Sequence, residues 1–355
     1  MHTSATERIT DWAVWAFLWG FRILVLLIVV VGTIQSLRSG QYTSDQWIDF
    51  VVFGIARGSI YAVLALGYTM VYGILRMINF AHGDVFMAGA FAGYFVANGF
   101  SRTGFLERQP VVALLIAVLF AMLVSTTIAV VLERIAYRPL RAAPRLVPLI
   151  SALGASFFIE YSFRGFFGPG VYAYPAVAPL AGEFNILGIG VLKMQALVVV
   201  AAVIMMAILY TIVMRTKIGK AMRAVSENKD VARLMGIDVD RTIVATFAIG
   251  AAMAGAGGVL FGLMFHQVNF LSGFVPGIKA FAAAVLGGIG NVVGAMVGGM
   301  VLGVFESVGP ALFLGGVGII RPYQLQDAIA YIMLVLVLLF RPSGILGERL
   351  STKKA

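Results

Sequence analysis

The chain has 355 residues, is 61% hydrophobic and only 12% charged, about half the charge fraction of soluble domains, which excludes a soluble globule and makes it a polytopic membrane protein. Its formal net charge of +10 gathers in 133–145, 215–241 and 341–355, so it reports topology and contact with membrane lipid rather than nucleic acid. The absence of cysteine excludes disulfides, thiol catalysis and thiolate metal sites, and three histidines without an HExxH motif argue against a metal centre.

At about 20 apolar residues per crossing, the sequence predicts an all-α transmembrane bundle of about eight to ten spans, some of them broken or re-entrant. Residues 1–11 are polar, and Trp12 to Thr33 forms a first span interrupted by Arg22. That stretch exceeds a signal-peptide core and lacks a clear cleavage site, so it reads as a retained helix. Arg22 either snorkels or meets a neighbouring helix. Gln35 to Asp49 is expected as a polar outer connection. Ile55 to Leu75 is a second span, with Arg57 near its outer end and Gly54 and Gly58 allowing close helix approach.

The run from Tyr72 to Phe91 is broken by Asn79, His82, Gly83 and Asp84. Irregular backbone at membrane depth is tolerated only where protein or a water-filled cavity surrounds it, which makes Asn79, His82 and Asp84 candidates for a pathway or gate. The alternative is a capped turn near the inner surface, with Asp84 accepting the free N–H groups of the following helix and His82 serving as a packing residue. A span ends near Asn98, and Val111 to Leu132 returns to the basic inner loop Glu133 to Arg145. Leu146 to Phe167 carries Glu160 and Arg164 four apart, either a self-neutralising pair or a polar wall of a conduit. Gly168 to Gly190, with four prolines, is expected as an irregular external segment. Met194 to Met214 crosses back.

Residues 215–241, RTKIGKAMRAVSENKDVARLMGIDVDR, form the one long charged stretch, with seven Lys or Arg against Glu227, Asp230, Asp238 and Asp240. Its basic excess places it on the cytoplasmic side. Ala221, Ala224 and Val225, then Val231, Ala232 and Met235, predict two short amphipathic helices ending near Gly236. The segment either sets topology only or is a docking platform for a soluble partner.

Thr242 to Leu263 carries Gly250, Ala254, Gly258 and Gly262 at intervals of four, one flat face for tight packing. His266 to Pro276 is polar and external. Gly277 to Gly290 offers too few apolar residues to cross a ~30 Å core and reads as a re-entrant element. Asn291 opens a span with Gly290, Gly294 and Gly298 in one ladder and Gly299 and Gly303 in another. Lys279 and Glu306 are ions at membrane depth, functional candidates by default, with snorkelling towards the outer surface as the alternative. Gln324 to Phe340 is the last span, followed by a basic inner tail. A polar break followed by a Gly/Ala-rich helix, at Asp84 and again at Asn291, hints at an internal repeat.

GSIYAVLALGYTMVYGILRMINFAHGDVFMAGAF (58–91), ERIAYRPLR (133–141), LISALGASFFIE (149–160), GKAMRAVSENKDVARLMGIDVDR (219–241), GIKAFAAAVLGGIGNVVGAMVGG (277–299) and RPSGILG (341–347) together resemble the branched-chain amino-acid ABC transporter permease family, with a closer match to the H-type subunit of the leucine/isoleucine/valine importer. The resemblance divides the chain into an N-terminal extension with an extra span (1–50), a permease domain (51–347) and a basic cytoplasmic tail (348–355). It implies a bacterial inner-membrane, multi-pass protein; the span placements, with an even number of crossings between successive basic loops, put both termini in the cytoplasm. It also implies a second, M-type permease, two cytoplasmic ABC ATPases that bind the ATP, and a periplasmic substrate-binding protein. Gly219, Ala221, Arg223, Ala224, Glu227, Ala232 and Gly236 fall in the family's cytoplasmic motif, which implies ATPase coupling. The candidate pathway set is Asn79, His82, Asp84, Glu160, Lys279 and Asn291. No GxxxxGK[ST] or GxSxG occurs, so the chain carries no P-loop and no nucleophile elbow; no cofactor and no enzymatic activity of its own are expected. Same-family permeases for urea or short amides, and from another class an ion-gradient-driven secondary transporter using Lys279, Glu160 and Glu306, are the competing readings.

Overall fold

The structure is a computed structural model describing residues 5–141, 143–144, 146–186, 189–341 and 343–347; the tail 348–355 and Arg145 lie outside the described residues. Helix α1 spans Ala5–Ser39 and α2 spans Ser44–Leu75. The polar stretch expected as an outer connection is therefore mostly helical, with a turn at 40–43. Its hydrophilic residues start a helix because Thr43 and Gln46 form a reciprocal capping box, satisfying two free donors of the first turn. After the break at 76–81 come α3 (His82–Arg102), α4 (Phe105–Arg108) and α5 (Pro110–Leu132). The loop beyond is helical too, π-type over Glu133–Tyr137 and 3-10 over Arg138–Leu140. Helix α6 (Leu146–Phe167) leads to a segment more ordered than its prolines suggest. There, β1 (Tyr172–Ala173) precedes a hairpin of β2 (Glu183–Ile186) and β3 (Ile189–Leu192). Helix α7 (Lys193–Arg215) follows, then α8 (Lys217–Glu227), α9 (Lys229–Leu234) and α10 (Val239–Phe265). Strand β4 (Gln267–Val268) pairs antiparallel with β1. Last come α11 (Phe274–Gly287), α12 (Val292–Gly309) with a π-type extension over Pro310–Gly315, and α13 (Gln326–Phe340).

Among the described residues, eight helices are long and apolar enough to cross a membrane. They divide into a core and a periphery. Some 72% of the apolar stretch of α2 and of α10 is buried, against 11% for α1 and α13, so α2 and α10 form the centre while the outer helices turn apolar faces to lipid. The centre closes on glycine. A Cβ on Gly303 of α12 would lie 2.3 Å from the Gly58 Cα of α2, and one on Gly258 of α10 would lie 2.4 Å from the Phe86 carbonyl oxygen of α3. Helix–helix association in lipid gains from backbone contacts this close, since lipid tails are as apolar as the side chains they would displace.

Helix α11, with 14 residues, is about 21 Å long at ~1.5 Å rise per residue, short of the ~30 Å hydrocarbon core. Its last carbonyls are taken by the chain's C-terminal motif: the Ile345 N–H donates to Leu286 O at 2.8 Å and the Leu346 N–H to Gly287 O at 3.0 Å. Ile345 and Leu346 thus close a helix end that would otherwise leave orphaned acceptors.

Candidate functional site

Two of the basic segments, 133–141 and 215–241, meet at one end of the bundle. Arg138 and Arg141 both pair with Asp240 in the first turn of α10, at 2.8 and 2.5 Å, and Arg141 also holds the fully buried Glu133. Against this lattice lie α8 and α9, each begun by a side-chain cap. The Gly219 N–H donates to Thr216 Oγ1 at 3.1 Å, and the Asp230 and Val231 N–H groups donate to Asn228 Oδ1. Such caps are worth about 1 kcal/mol each, which matters for helices too short to persist alone. A Cβ on Gly219 would fall 2.2 Å from the Val213 carbonyl oxygen, so only glycine permits this turn between α7 and α8. Gly236 ends α9 at φ +82°, the left-handed conformation that glycine adopts freely. Burial, and then the charges of Arg141 and Arg76, hold the Lys229 ammonium below the usual lysine range.

The motif residues divide between two faces. Gly219 and Ala232 are buried, Ala221 and Ala224 half-buried, and Arg223, Glu227 and Gly236 exposed. The buried stripe of α8 is Gly219, Met222 and Val225, and α8 packs on α2, α7 and α10. The small residues thus seat α8 and α9 on their own bundle. Val231 and Met235, expected on the packed face, are instead exposed. Together with Leu234 they form an apolar ridge, Leu234 being 86% and Met235 77% exposed, because Ala232 is the α9 residue turned towards the bundle.

The second cluster gathers at the break between α2 and α3. Asn79 accepts the Tyr137 hydroxyl at 2.7 Å, and the Ser156 hydroxyl of α6 donates to Asp84 Oδ2. Asp84 is not the cap of α3. The cap position is Ala81, and Asp84 sits one turn inside the helix, because the turn set by the His82 N–H donating to Asn79 O starts the helix earlier. Asp84 Oδ1 and His82 Nε2 are buried without a hydrogen-bond partner among the described residues; the His82 ring packs edge-on to Tyr68 at 4.8 Å. Glu160 is buried one turn beyond Ser156. It forms no pair with Arg164, whose guanidinium lies over the Tyr161 and Phe270 rings instead.

Lys279 and Glu306 do not snorkel. They are 4% and 0% exposed and meet at 2.5 Å. Lys279 also reaches Asp327 at 2.6 Å, and Arg57 donates to Glu306 at 2.9 Å and to Gln326 at 3.0 Å. One charge-balanced set therefore ties α2, α11, α12 and α13 together, and the carboxylates of Glu306 and Asp327 hold the Lys279 ammonium in place of water. Asn291 belongs to neither cluster: it caps α12 through the Gly294 N–H and donates to Leu346 O at 2.8 Å.

The family model for the permease component of the branched-chain amino acid transport system matches residues 50–338. The chain belongs to that family. It is 40% identical over 305 residues, 85% of its length and 96% of the relative's, to the high-affinity branched-chain amino acid transport system permease protein BraD of Pseudomonas aeruginosa. To LivH of Escherichia coli it is 38% identical over 313 residues, 86% and 98% of the two lengths. A more distant relative, the probable branched-chain amino acid transport permease protein LivM of Methanocaldococcus jannaschii, is 26% identical over 144 residues, 38% of this chain and 41% of LivM. No solved structure matches.

Several residues of the permease escaped the reading of its sequence. Ser156 and Tyr137 bear no signal before the fold places them beside Asp84 and Asn79. Asp327 likewise carries no signal until the fold brings it to Lys279. Met222 occupies the buried face of α8, and its i, i+3, i+6 spacing with Gly219 and Val225 was the available clue.

Proposed function

We propose that this permease is the H-type transmembrane subunit of an ATP-binding-cassette importer for branched-chain amino acids. It spans the bacterial inner membrane with both termini and its basic end in the cytoplasm, paired with an M-type permease. A periplasmic binding protein delivers substrate, and two cytoplasmic ABC ATPases, which bind the ATP, seat on α8 and α9. The observation that carries this reading is the apolar ridge of Val231, Leu234 and Met235 raised from the most charged segment of the chain. Apolar side chains this exposed in a charged loop mark a contact surface for another protein, and the helices bearing them are seated by caps and glycine on α7 and α10, so force applied there reaches the centre of the bundle. The names of BraD and LivH support the substrate class.

The buried Lys279, Glu306 and Arg57 set is what an ion-gradient-driven transporter would need, and a single experiment separates the two readings. Labelled leucine uptake is measured in cells lacking the chain, with and without its restoration, under ATP depletion and under collapse of the proton gradient. The importer reading expects restored uptake that follows ATP. Uptake that follows the gradient contradicts it, and an absence of leucine uptake with urea or amide uptake restored contradicts the substrate class.

A further inference from the structure

At the end opposite the basic loops, a cavity of about 430 Å³ opens between the hairpin, the start of α2 and the start of α13, within the ~300–1,000 Å³ of small-molecule sites. It is electrically graded. At its base Arg57, 8% exposed, forms part of the wall. The guanidinium Nη1 is committed to Glu306 and Gln326, its plane lies over the Phe53 ring, and its buried Nε has no acceptor among the described residues. A guanidinium presents five donors in a fork suited to carboxylates, and Arg57 is the cation in the cavity lining. At the rim lie two exposed acids, Asp49 of α2 and Glu183 of β2. Phe50, Phe53 and Leu192 supply apolar wall between the two ends.

An anionic mouth, an apolar flank and a cationic base match, in order, the ammonium, side chain and carboxylate of an α-amino acid. We propose that this cavity is a binding site within the permease for an α-amino acid with an apolar side chain, its carboxylate on Arg57 and its ammonium towards Asp49 and Glu183. The inference rests on the amino-acid reading above for ligand class and adds the place and the residues. Charge balance supports a zwitterion in particular. The Arg57, Lys279, Glu306 and Asp327 set already carries two positive and two negative groups; a zwitterion enters beside it without adding net charge, whereas a keto acid adds an anion and an amino-acid amide adds a cation.

The chain has no cysteine, so Gln195→Cys places a single thiol in the cavity wall. Labelling of that thiol by a membrane-impermeant reagent is followed in the assembled complex, in vesicles washed free of soluble protein, with leucine, leucinamide or 4-methyl-2-oxopentanoate present. Leucine is expected to protect, and the amide and keto acid to protect poorly. Adding Arg57→Gln is expected to raise the leucine concentration needed for protection by about ten-fold or more, the loss of a charged hydrogen bond. Should Arg57→Gln fail to assemble, the rim variant Asp49→Asn with Glu183→Gln is expected to raise that concentration while leaving assembly intact. Unchanged labelling with leucine in vesicles whose complex transports leucine overturns the proposal and leaves the importer reading standing, as does equal protection by leucinamide or an unaffected rim variant. Protection by another apolar amino acid, with no leucine transport, upholds the cavity and refutes the branched-chain substrate instead.

Discussion

Replacing Lys279 by Met tests how the short helix α11 is held. Methionine keeps the length of the lysine stem but removes its charge, leaving Glu306 with Arg57 as its cation and Asp327 with none from α11. Breaking a buried ion pair by deleting one partner costs about 3–5 kcal/mol. Because Arg57 remains at 2.9 Å from Glu306 and Asp327 is half solvated, the lower end applies, about 3 kcal/mol, or roughly a hundred-fold in the unfolding equilibrium. The assay is a double-mutant cycle of Lys279→Met, Glu306→Gln and both together, read by chemical unfolding of the purified protein in detergent. A coupling energy of about 1–3 kcal/mol is expected for residues in direct contact. A coupling indistinguishable from zero, or a Lys279→Met protein as stable as the parent, would refute the view that this cluster ties α11 to the bundle.

Gly303→Val places its Cβ 2.3 Å from the Gly58 Cα, forcing α12 off α2; a loss of at least the ~1–3 kcal/mol typical of overpacking should appear in the same unfolding assay. Gly236→Ala puts a side chain at φ +82° and should cost about 1–2 kcal/mol of local stability, seen as faster amide exchange in 229–241 with the rest of the bundle unchanged. Asn291→Ala removes both the α12 cap and the contact to Leu346 O; about 1 kcal/mol of stability should be lost, with leucine KM unaltered, and a raised KM would place Asn291 on the pathway instead.

Local chemistry made much of the fold legible. The end near Gly236 and the two short helices before it were readable from spacing and a glycine, while the caps that start them, Thr216 and Asn228, are local signals that the reading did not use. The shortness of α11 follows from counting apolar residues. What sequence did not reveal depended on neighbours far along the chain. Arg57, Lys279 and Glu306 each look like a residue near or reaching for a surface, and only the packing of four helices joins them, with the half-exposed Asp327, into one set. Asp84 has the residue type of a cap, yet a backbone turn at Asn79 starts the helix before it. On α9, apolar residues lie on both faces, and the position of the bundle, not periodicity, decides that Ala232 is buried and Leu234 exposed.

The central claim, that ATPases bear on the ridge of α9, is tested most directly by the double variant Leu234→Asp with Met235→Asp. Both side chains lie in solvent, so the bundle itself has no contact to lose. Co-purification of the ATPase subunits with the permease, together with ATP-dependent leucine uptake in reconstituted vesicles, should fall sharply while expression and unfolding of the permease stay at the parent level. Undiminished co-purification and uptake in that variant would contradict the account.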